Sequence, residues 1–232
     1  NKIADQMMRV VDVDEGVLKA LEIDTRMILP GSPMKRTTRF ISSSEYVDIW
    51  GVHRKRPEKS YYFDQLNYPL SGDISEQDIL NYKYPDPTDP GFLQGINERL
   101  NFIRTKTDCA AILKVYPPFV HLSQYLRGFE DWYIDLAIDK KRFCLLADAV
   151  LDVTIEISKR MVAEVGNEVD VVFCSDDLGT QTSLQFSLDH YRELIRPRHE
   201  KFFDAVHSFT NAKLGFHSCG NISEILDDLI DI

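Results

Sequence analysis

Two residues of the stretch KLGFHSCGN, His217 and Cys219, are of types that bind metal ions. They stand two positions apart at the end of an apolar run of strand length, and residues two apart on a β-strand project from the same face. An imidazole nitrogen and a thiolate sulfur suit zinc, and a catalytic zinc takes three protein ligands and leaves one position open. The pair therefore predicts two ligands of a zinc site. The same spacing is equally typical of a packed histidine beside a buried free cysteine.

A second pair of candidates, Asp176 and Asp177, ends the apolar run VDVVFCSDD (169–177). A carboxylate at the end of a buried strand is costly unless it is paired or used. The carboxyl ends of parallel strands are also where α/β enzymes assemble their sites. We predict a catalytic role for one of the two residues and favour Asp177. The alternative is a cap of a helix or a loop.

Three more candidates belong to the run CAAILKVY (109–116) and the segment after it. Lys114 and Tyr116 finish this predicted strand, and Arg127 lies in the helical segment that follows. We predict that these residues bind substrate. The alternatives are a lysine on the outer face of the sheet and a surface ion pair of Arg127 with Glu130, three positions further on.

The elements that position these residues repeat a strand followed by a helix. The predicted strands cover 109–116, 169–177 and 213–221, and the predicted helices cover 121–135, 139–165, 187–209 and a last one that begins at Asn221. Pro197 is expected to bend or split the third helix, because proline cannot donate to the preceding turn. Strands that alternate with helices in this way predict a parallel sheet covered by helices.

The first part of the chain has a different pattern, with a predicted helix over 12–22, an antiparallel hairpin over 37–56 and 61–70, and a helix over 92–105. We therefore divide the chain into an N-terminal helix and hairpin elaboration, 1–107, and successive βα units, 108–232. Three such units are fewer than an eight-stranded barrel or a doubly wound sheet contains, and the last helix ends on Ile232 without a C-cap. We expect a chain that is truncated at its C-terminus.

Composition excludes several functional classes. The chain has 232 residues, 44% of them hydrophobic, and a formal net charge of −10, which disfavours a broad surface for nucleic acid or for anionic membranes. No apolar run reaches the length of a membrane span, and the N-terminus lacks a signal pattern, so we predict a cytoplasmic protein. Its four scattered cysteines indicate reduced thiols, since a chain of this size does not need disulfides.

A series of segments in this order resembles the uroporphyrinogen decarboxylase superfamily, and specifically its corrinoid-dependent methyltransferase branch. The segments are IDTRMILPGSP, DIWGVHRKR, YYFDQLNYPLSG, YPDPTDP, LRGFEDWYIDLAID, SDDLGTQ, LIRPRHEKFFDAVH and FHSCGNI. The resemblance implies a (β/α)8 TIM barrel with an N-terminal elaboration. It also implies that His217 and Cys219 bind zinc together with a further cysteine, which would lie beyond residue 232.

The resemblance implies a reaction as well. A methylated corrinoid (cobalamin) carried by a partner protein would donate its methyl group to a small acceptor, either a thiol similar to coenzyme M or tetrahydrofolate. Zinc converts a bound thiol to the nucleophilic thiolate at neutral pH. With a nitrogen acceptor, the metal or an acid such as Asp177 would assist instead.

Two alternatives remain open at this point. One is a metal-free decarboxylase of a tetrapyrrole, which needs arginines to hold the carboxylates of its substrate, with Arg26, Arg36, Arg39 and Arg127 as candidates. The other is a catalytically inactive barrel that acts as a partner subunit. Against the decarboxylase, that branch does not place a histidine and a cysteine on this strand.

Overall fold

The computed structural model of the chain describes residues 3–232. Its elements follow one another in the order β1 (Ile3–Asp5), β2 (Val10–Val11), α1 (Glu15–Ala20), β3 (Thr25–Ile28), β4 (Arg39–Ser42), β5 (Glu45–Val47), β6 (His53–Lys55), β7 (Asp64–Asn67), α2 (Glu76–Leu80), α3 (Ile96–Lys106), β8 (Ala110–Lys114), α4 (Val120–Arg127), α5 (Phe129–Ile138), α6 (Lys140–Val165), β9 (Val171–Ser175), α7 (Leu188–His190), α8 (Arg196–His207), β10 (Lys213–His217) and α9 (Leu226–Ile230). Turns of 3₁₀ helix cover Pro90–Leu93 and Ser223–Ile225, and a π-helical turn covers Tyr191–Ile195.

A parallel sheet with the strand order β10-β9-β8-β3 forms the centre of the fold. Side chains alternate between its two faces. Leu113 of β8 and Val172 of β9 lie opposite each other in the register and are fully buried on the same face. That face belongs to one core with the apolar sides of the helices, for example Ile103 of α3, Val150 of α6 and Phe202 of α8. The predicted α/β fold with a parallel sheet is confirmed.

The strand β3 is an element that the sequence analysis missed. Residues 25–28, within the predicted N-terminal elaboration, pair in parallel with β8, from Thr25 opposite Ala110 to Ile28 opposite Leu113. The strand is only four residues long, which is too short to show a clear period of two. The sheet therefore draws one of its four strands from the first part of the chain. Four strands are half of those in a (β/α)8 barrel, and a closed barrel stays a prediction.

The predicted hairpin is a four-stranded antiparallel sheet with the order β4-β5-β6-β7. The first predicted strand, 37–56, is divided into the three short strands β4, β5 and β6, and the second, 61–70, contains β7 alone. The chain turns sharply between β5 and β6 at Gly51, which has a φ of +84°. Tyr46 of β5 and Arg54 of β6 lie opposite each other in the strand register and are buried, whereas β4 is exposed.

Three predicted helices differ in detail from the observed ones. The segment 121–135 forms two helices, α4 and α5, because the chain turns at Gly128, whose φ of +86° is rare for residues that carry a side chain. The predicted irregularity near Pro197 takes the form of the π-helical turn that precedes α8. Asn221 accepts a hydrogen bond from the backbone N–H of Ser223 at 3.1 Å, and the helical segment begins there with a 3₁₀ turn.

None of the helices within residues 3–232 combines the length and the apolar character that crossing a membrane requires.

Arg127, a predicted substrate-binding residue, lies in the core with 3% of its surface exposed. Its guanidinium donates to both carboxylate oxygens of Asp135, at 2.7 and 3.3 Å, and to the backbone carbonyls of Leu70 and Gly72, at 2.8 and 2.7 Å. The alternative for Arg127, a surface ion pair with Glu130, is wrong, because Arg127 is buried and Asp135 is its main partner. Arg127 thus joins the chain after β7 to α4 and α5.

We predict that Arg127→Met lowers the free energy of unfolding by about 3–5 kcal/mol, because it removes the main partner of the buried carboxylate of Asp135. Urea unfolding followed by circular dichroism measures this loss.

The matched control is Arg192→Met, since the side chain of Arg192 is 54% exposed in its ion pair with Asp228. The control is expected to lose about 0–1 kcal/mol. Equal losses in the two variants would contradict the assignment of Arg127 to the core.

Candidate metal centre

Three neighbouring strands of the parallel sheet, β8, β9 and β10, end at the same edge. Because they are parallel and adjacent, the residues that follow them are brought together although they are far apart in the sequence. A cavity of about 500 Å³ opens at this edge. Among the residues that line it are five of the predicted site residues: Lys114, Tyr116, Asp177, His217 and Cys219.

Asp177, His217 and Cys219 form a compact cluster at the mouth of the cavity. One potential ligand atom from each residue lies within 4.8 Å of the other two. His217 Nε2 is 3.3 Å from Cys219 Sγ and 3.7 Å from Asp177 Oδ1. The set offers a nitrogen, a sulfur and an oxygen, a combination found among zinc ligands. The donor chemistry of these residues therefore fits a zinc ion.

Asp177 also holds the loop that carries Cys219. Its Oδ1 atom accepts a hydrogen bond from the backbone N–H of Cys219 at 2.8 Å. The hydroxyl of Ser218 accepts one from the backbone N–H of Leu178 at 2.9 Å, and the carbonyl of Cys219 accepts one from Gly179 at 3.2 Å. The loops after β9 and β10 are therefore bonded to each other at several points.

Two glycines let these loops approach closely. Gly220 has a φ of +83°, and a Cβ atom placed there would lie 2.3 Å from the carbonyl carbon of Gly179. A Cβ atom on Gly179 would lie 2.7 Å from the backbone nitrogen of Asn221. Because the clashing atoms belong to the backbone, a side chain at Gly220 would force the loops apart and move Cys219 with them.

Asp176 points away from the cavity and is completely buried. Its carboxylate accepts hydrogen bonds from the backbone N–H groups of Phe119, Val120 and His121, each at 3.0 Å, at the beginning of α4. Burial raises the pKa of this carboxyl, but the imidazoles of His199 and His121 and the N–H donors lower it more, so that it lies below its usual range. The structure thus places Asp176 as a helix cap, which was the alternative to a catalytic role.

His121 contacts the cluster but was not among the predicted site residues. Its Nε2 atom lies 3.2 Å from Asp177 Oδ2, and its ring stacks on that of Tyr125, with centroids 5.6 Å apart. Burial lowers the pKa of His121, but the carboxylates of Asp177 and Asp176 raise it more, and the net shift is upward. The sequence contained one signal for it: the first turn of a helix that follows a strand lies at the same edge of the sheet as the strand's carboxyl end.

The contact with His121 also changes the pKa of Asp177. The hydrogen bond from His121 is the largest cause that lowers its pKa, and the net value lies well below the usual range. A lowered pKa favours the ionised form of Asp177, which suits binding of a cation and disfavours donation of a proton. This argues against the acid role that we considered for Asp177 with a nitrogen acceptor.

The predicted substrate-binding residues do not all lie together. Lys114 and Tyr116 line the cavity, whereas Arg127 does not. Tyr116 packs edge to face against Phe92, with ring centroids 5.6 Å apart, and burial raises the pKa of its hydroxyl. Tyr125 and Leu122 of α4 contribute apolar surface to the same cavity.

Comparison with known proteins gives two findings. Residues 67–232 match the family described as uroporphyrinogen decarboxylase (URO-D). The chain also superposes on the solved structure of a methyltransferase from Methanosarcina mazei with a TM-score of 0.57 and 20% sequence identity, over 78% of this chain and 50% of that one. The chain thus spans half the length of that methyltransferase. The comparison with curated proteins finds no match.

We predict that Gly220→Ala lowers the free energy of unfolding by about 2–4 kcal/mol, because it combines backbone strain with a backbone clash. Chemical denaturation measures the loss, and the rate at which Cys219 reacts with a thiol reagent reports the displacement of its loop.

The matched control is Gly72→Ala. Gly72 has a similar φ of +77°, but no atom lies within 4 Å of a Cβ placed there. The control is expected to lose only the strain energy of about 1 kcal/mol and to leave the reactivity of Cys219 unchanged. Equal effects in both variants would show that the close approach of the loops is unimportant.

Proposed function

The chain belongs to the uroporphyrinogen decarboxylase (URO-D) family, and within that family we propose that it is a methyltransferase. The methyl group would come from a methylated corrinoid on a partner protein. The acceptor would be a small molecule, either a thiol similar to coenzyme M or tetrahydrofolate. A zinc ion held by His217 and Cys219 would activate this acceptor.

The observation that carries the proposal is the cluster of Asp177, His217 and Cys219 at the mouth of a cavity of about 500 Å³. His217, the last residue of β10, and Cys219, in the loop after it, lie 3.3 Å apart, and this separation supports a shared ion. The structural similarity to a methyltransferase concerns the fold alone, because the two chains share 20% of their residues. It supports the methyltransferase activity only as a proposal.

The residues of the site support this chemistry. A bound zinc would supply Lewis acidity that lowers the pKa of an acceptor thiol, so that the sulfur is a thiolate at neutral pH. Tyr116 and Leu122 would form apolar walls that exclude water around the acceptor. Lys114, at the end of β8, would attract a negatively charged group of the acceptor, and this placement would orient the nucleophile toward the incoming methyl group.

A decarboxylase of a tetrapyrrole is less consistent with the structure. Among the residues described here, no arginine lines the cavity. Arg26 and Arg127 are buried in ion pairs with Glu15 and Asp135. Arg39 lies on the exposed strand β4. Guanidinium groups that converge on a substrate with several carboxylates are therefore not found at this edge of the sheet.

We predict that the protein purified without added metal contains about one zinc per chain and that Cys219→Ser loses it, because the thiolate is a metal ligand. Inductively coupled plasma mass spectrometry measures the zinc content.

Cys109→Ser is the matched control, since Cys109 precedes β8 at the opposite edge of the sheet and lies 3.7 Å from the carbonyl of Ile23. It should retain the zinc. A folded wild-type protein without zinc would rule out this mechanism, and zinc that persists in Cys219→Ser would place the metal elsewhere.

We also predict that the zinc-loaded protein demethylates methylcobalamin in the presence of one acceptor, 2-mercaptoethanesulfonate or tetrahydrofolate, and that His217→Ala does so only at the background rate. The change in the visible absorption of cobalamin measures the reaction. Cys109→Ser again serves as the control and should react at the wild-type rate. A zinc-loaded protein that is inactive with both acceptors, with methylcobalamin or a methylated corrinoid protein as donor, would favour an inactive partner subunit.

A further inference from the structure

A continuous row of side chains connects the antiparallel sheet to the candidate metal centre. The guanidinium of Arg54, on β6, lies 4.7 Å from the ring centroid of Tyr125. Tyr125 stacks on His121, with ring centroids 5.6 Å apart and an angle of 22° between the planes. His121 in turn contacts the carboxylate of Asp177. The row ends at Asp177, and the proposed zinc ligands His217 and Cys219 do not by themselves account for the contact between Asp177 and His121.

The two oxygens of Asp177 have different surroundings. Oδ1 accepts the backbone N–H of Cys219 and lies 3.7 Å from His217 Nε2. Oδ2 lies on the other side, 3.2 Å from His121 Nε2. Contacts to both oxygens limit rotation of the carboxylate, and Oδ1 is directed toward the histidine and the cysteine that are the proposed metal ligands.

We propose that Asp177 is a third protein ligand of the metal and that His121 is the positioning residue that orients its carboxylate. The inference rests on the proposed function, because it requires a metal at His217 and Cys219. It differs from the expectation of a downstream cysteine ligand, since it completes a set of three ligands from residues of this chain. Ligating carboxylates generally receive hydrogen bonds from surrounding groups that determine their orientation.

The position of His121 is itself determined by contacts outside the metal centre. Its backbone N–H donates to the buried carboxylate of Asp176 at 3.0 Å, which places the first turn of α4 against the end of β9. Its ring lies on Tyr125, and Tyr125 is held under Arg54, whose Nε atom donates to Asp48 at 2.8 Å. The side chain of His121 is 19% exposed. A ring packed in this way can hold a ligand in one orientation.

The experiment compares zinc affinity, measured by competition with a chromophoric chelator, in the wild type and three single variants. His121→Phe keeps an aromatic ring against Tyr125 but removes the hydrogen-bond donor, and it should weaken zinc binding by about tenfold or more. His121→Gln retains an N–H donor and should recover part of that affinity. The matched control is His207→Phe, at the exposed C-terminal end of α8, and it should bind zinc as the wild type does.

A double-mutant cycle with Asp177→Asn tests whether His121 acts through Asp177. Asp177→Asn alone should weaken zinc binding by about tenfold or more, because it replaces a charged ligand. In the Asp177→Asn background, His121→Phe should cause little further loss. Melting temperatures of all variants separate a loss of affinity from a loss of the folded structure.

The outcomes separate the inference from the proposed function. Wild-type zinc affinity in His121→Phe or in Asp177→Asn would overturn the inference and leave the zinc site of His217 and Cys219 intact. Equal losses in His121→Phe and His121→Gln, or additive losses in the cycle, would overturn the positioning role of His121. A wild-type protein that binds no zinc would overturn both the inference and the proposed function.

Discussion

The geometry of the site depends on the hydrogen bonds between the buried carboxylate of Asp176 and the start of α4. This carboxylate lies at the end of β9 and accepts three backbone N–H groups from the start of α4, each at 3.0 Å. The first N–H groups of a helix have no partners within the helix, and a carboxylate near them is stabilised by hydrogen bonds and by the helix dipole. His199, which is also completely buried, lies 3.5 Å from the same carboxylate. A buried charge without such partners would be strongly destabilising, so the strand and the helix are held in one relative position.

That position determines where the functional groups lie. Because the start of α4 is hydrogen-bonded to Asp176, His121 in its first turn reaches the neighbouring Asp177, and Tyr125 lies one turn further along the same side of the helix. The loops after β9 and β10 are then joined through Asp177 and Ser218 and approach each other at two glycines. The cluster of His217, Cys219 and Asp177 therefore depends on α4, β9 and β10, which are far apart in the sequence. It would be disturbed by a change in any one of them.

Two adjacent aspartates have opposite surroundings for a simple reason. Successive residues at the end of a strand point to opposite sides, so Asp176 faces the core and Asp177 faces the cavity. Burial among N–H donors gives the first an architectural role, whereas the second is open to the cavity and lies beside His217, where we propose that it binds a metal. The arginines show the same contrast, since Arg127 is held within the core by Asp135, while Arg192 lies on the surface with Asp228.

The sequence by itself determined the α/β class, the succession of the strands β8, β9 and β10 along the chain, and the presence of residue types that bind metals or protons at their carboxyl ends. Periodicity and turn residues within short segments carry that information. Only the tertiary structure decided that β3 joins the sheet, that Arg127 is buried, that Asp176 caps α4, and that His121 belongs to the candidate site. The contacts of Asp176 with the start of α4 join residues 55 to 57 positions apart, and those of Arg127 with Leu70 and Gly72 join residues 57 and 55 positions apart. Such contacts form when the strands and helices pack together, and no pattern within a short segment of the chain encodes them.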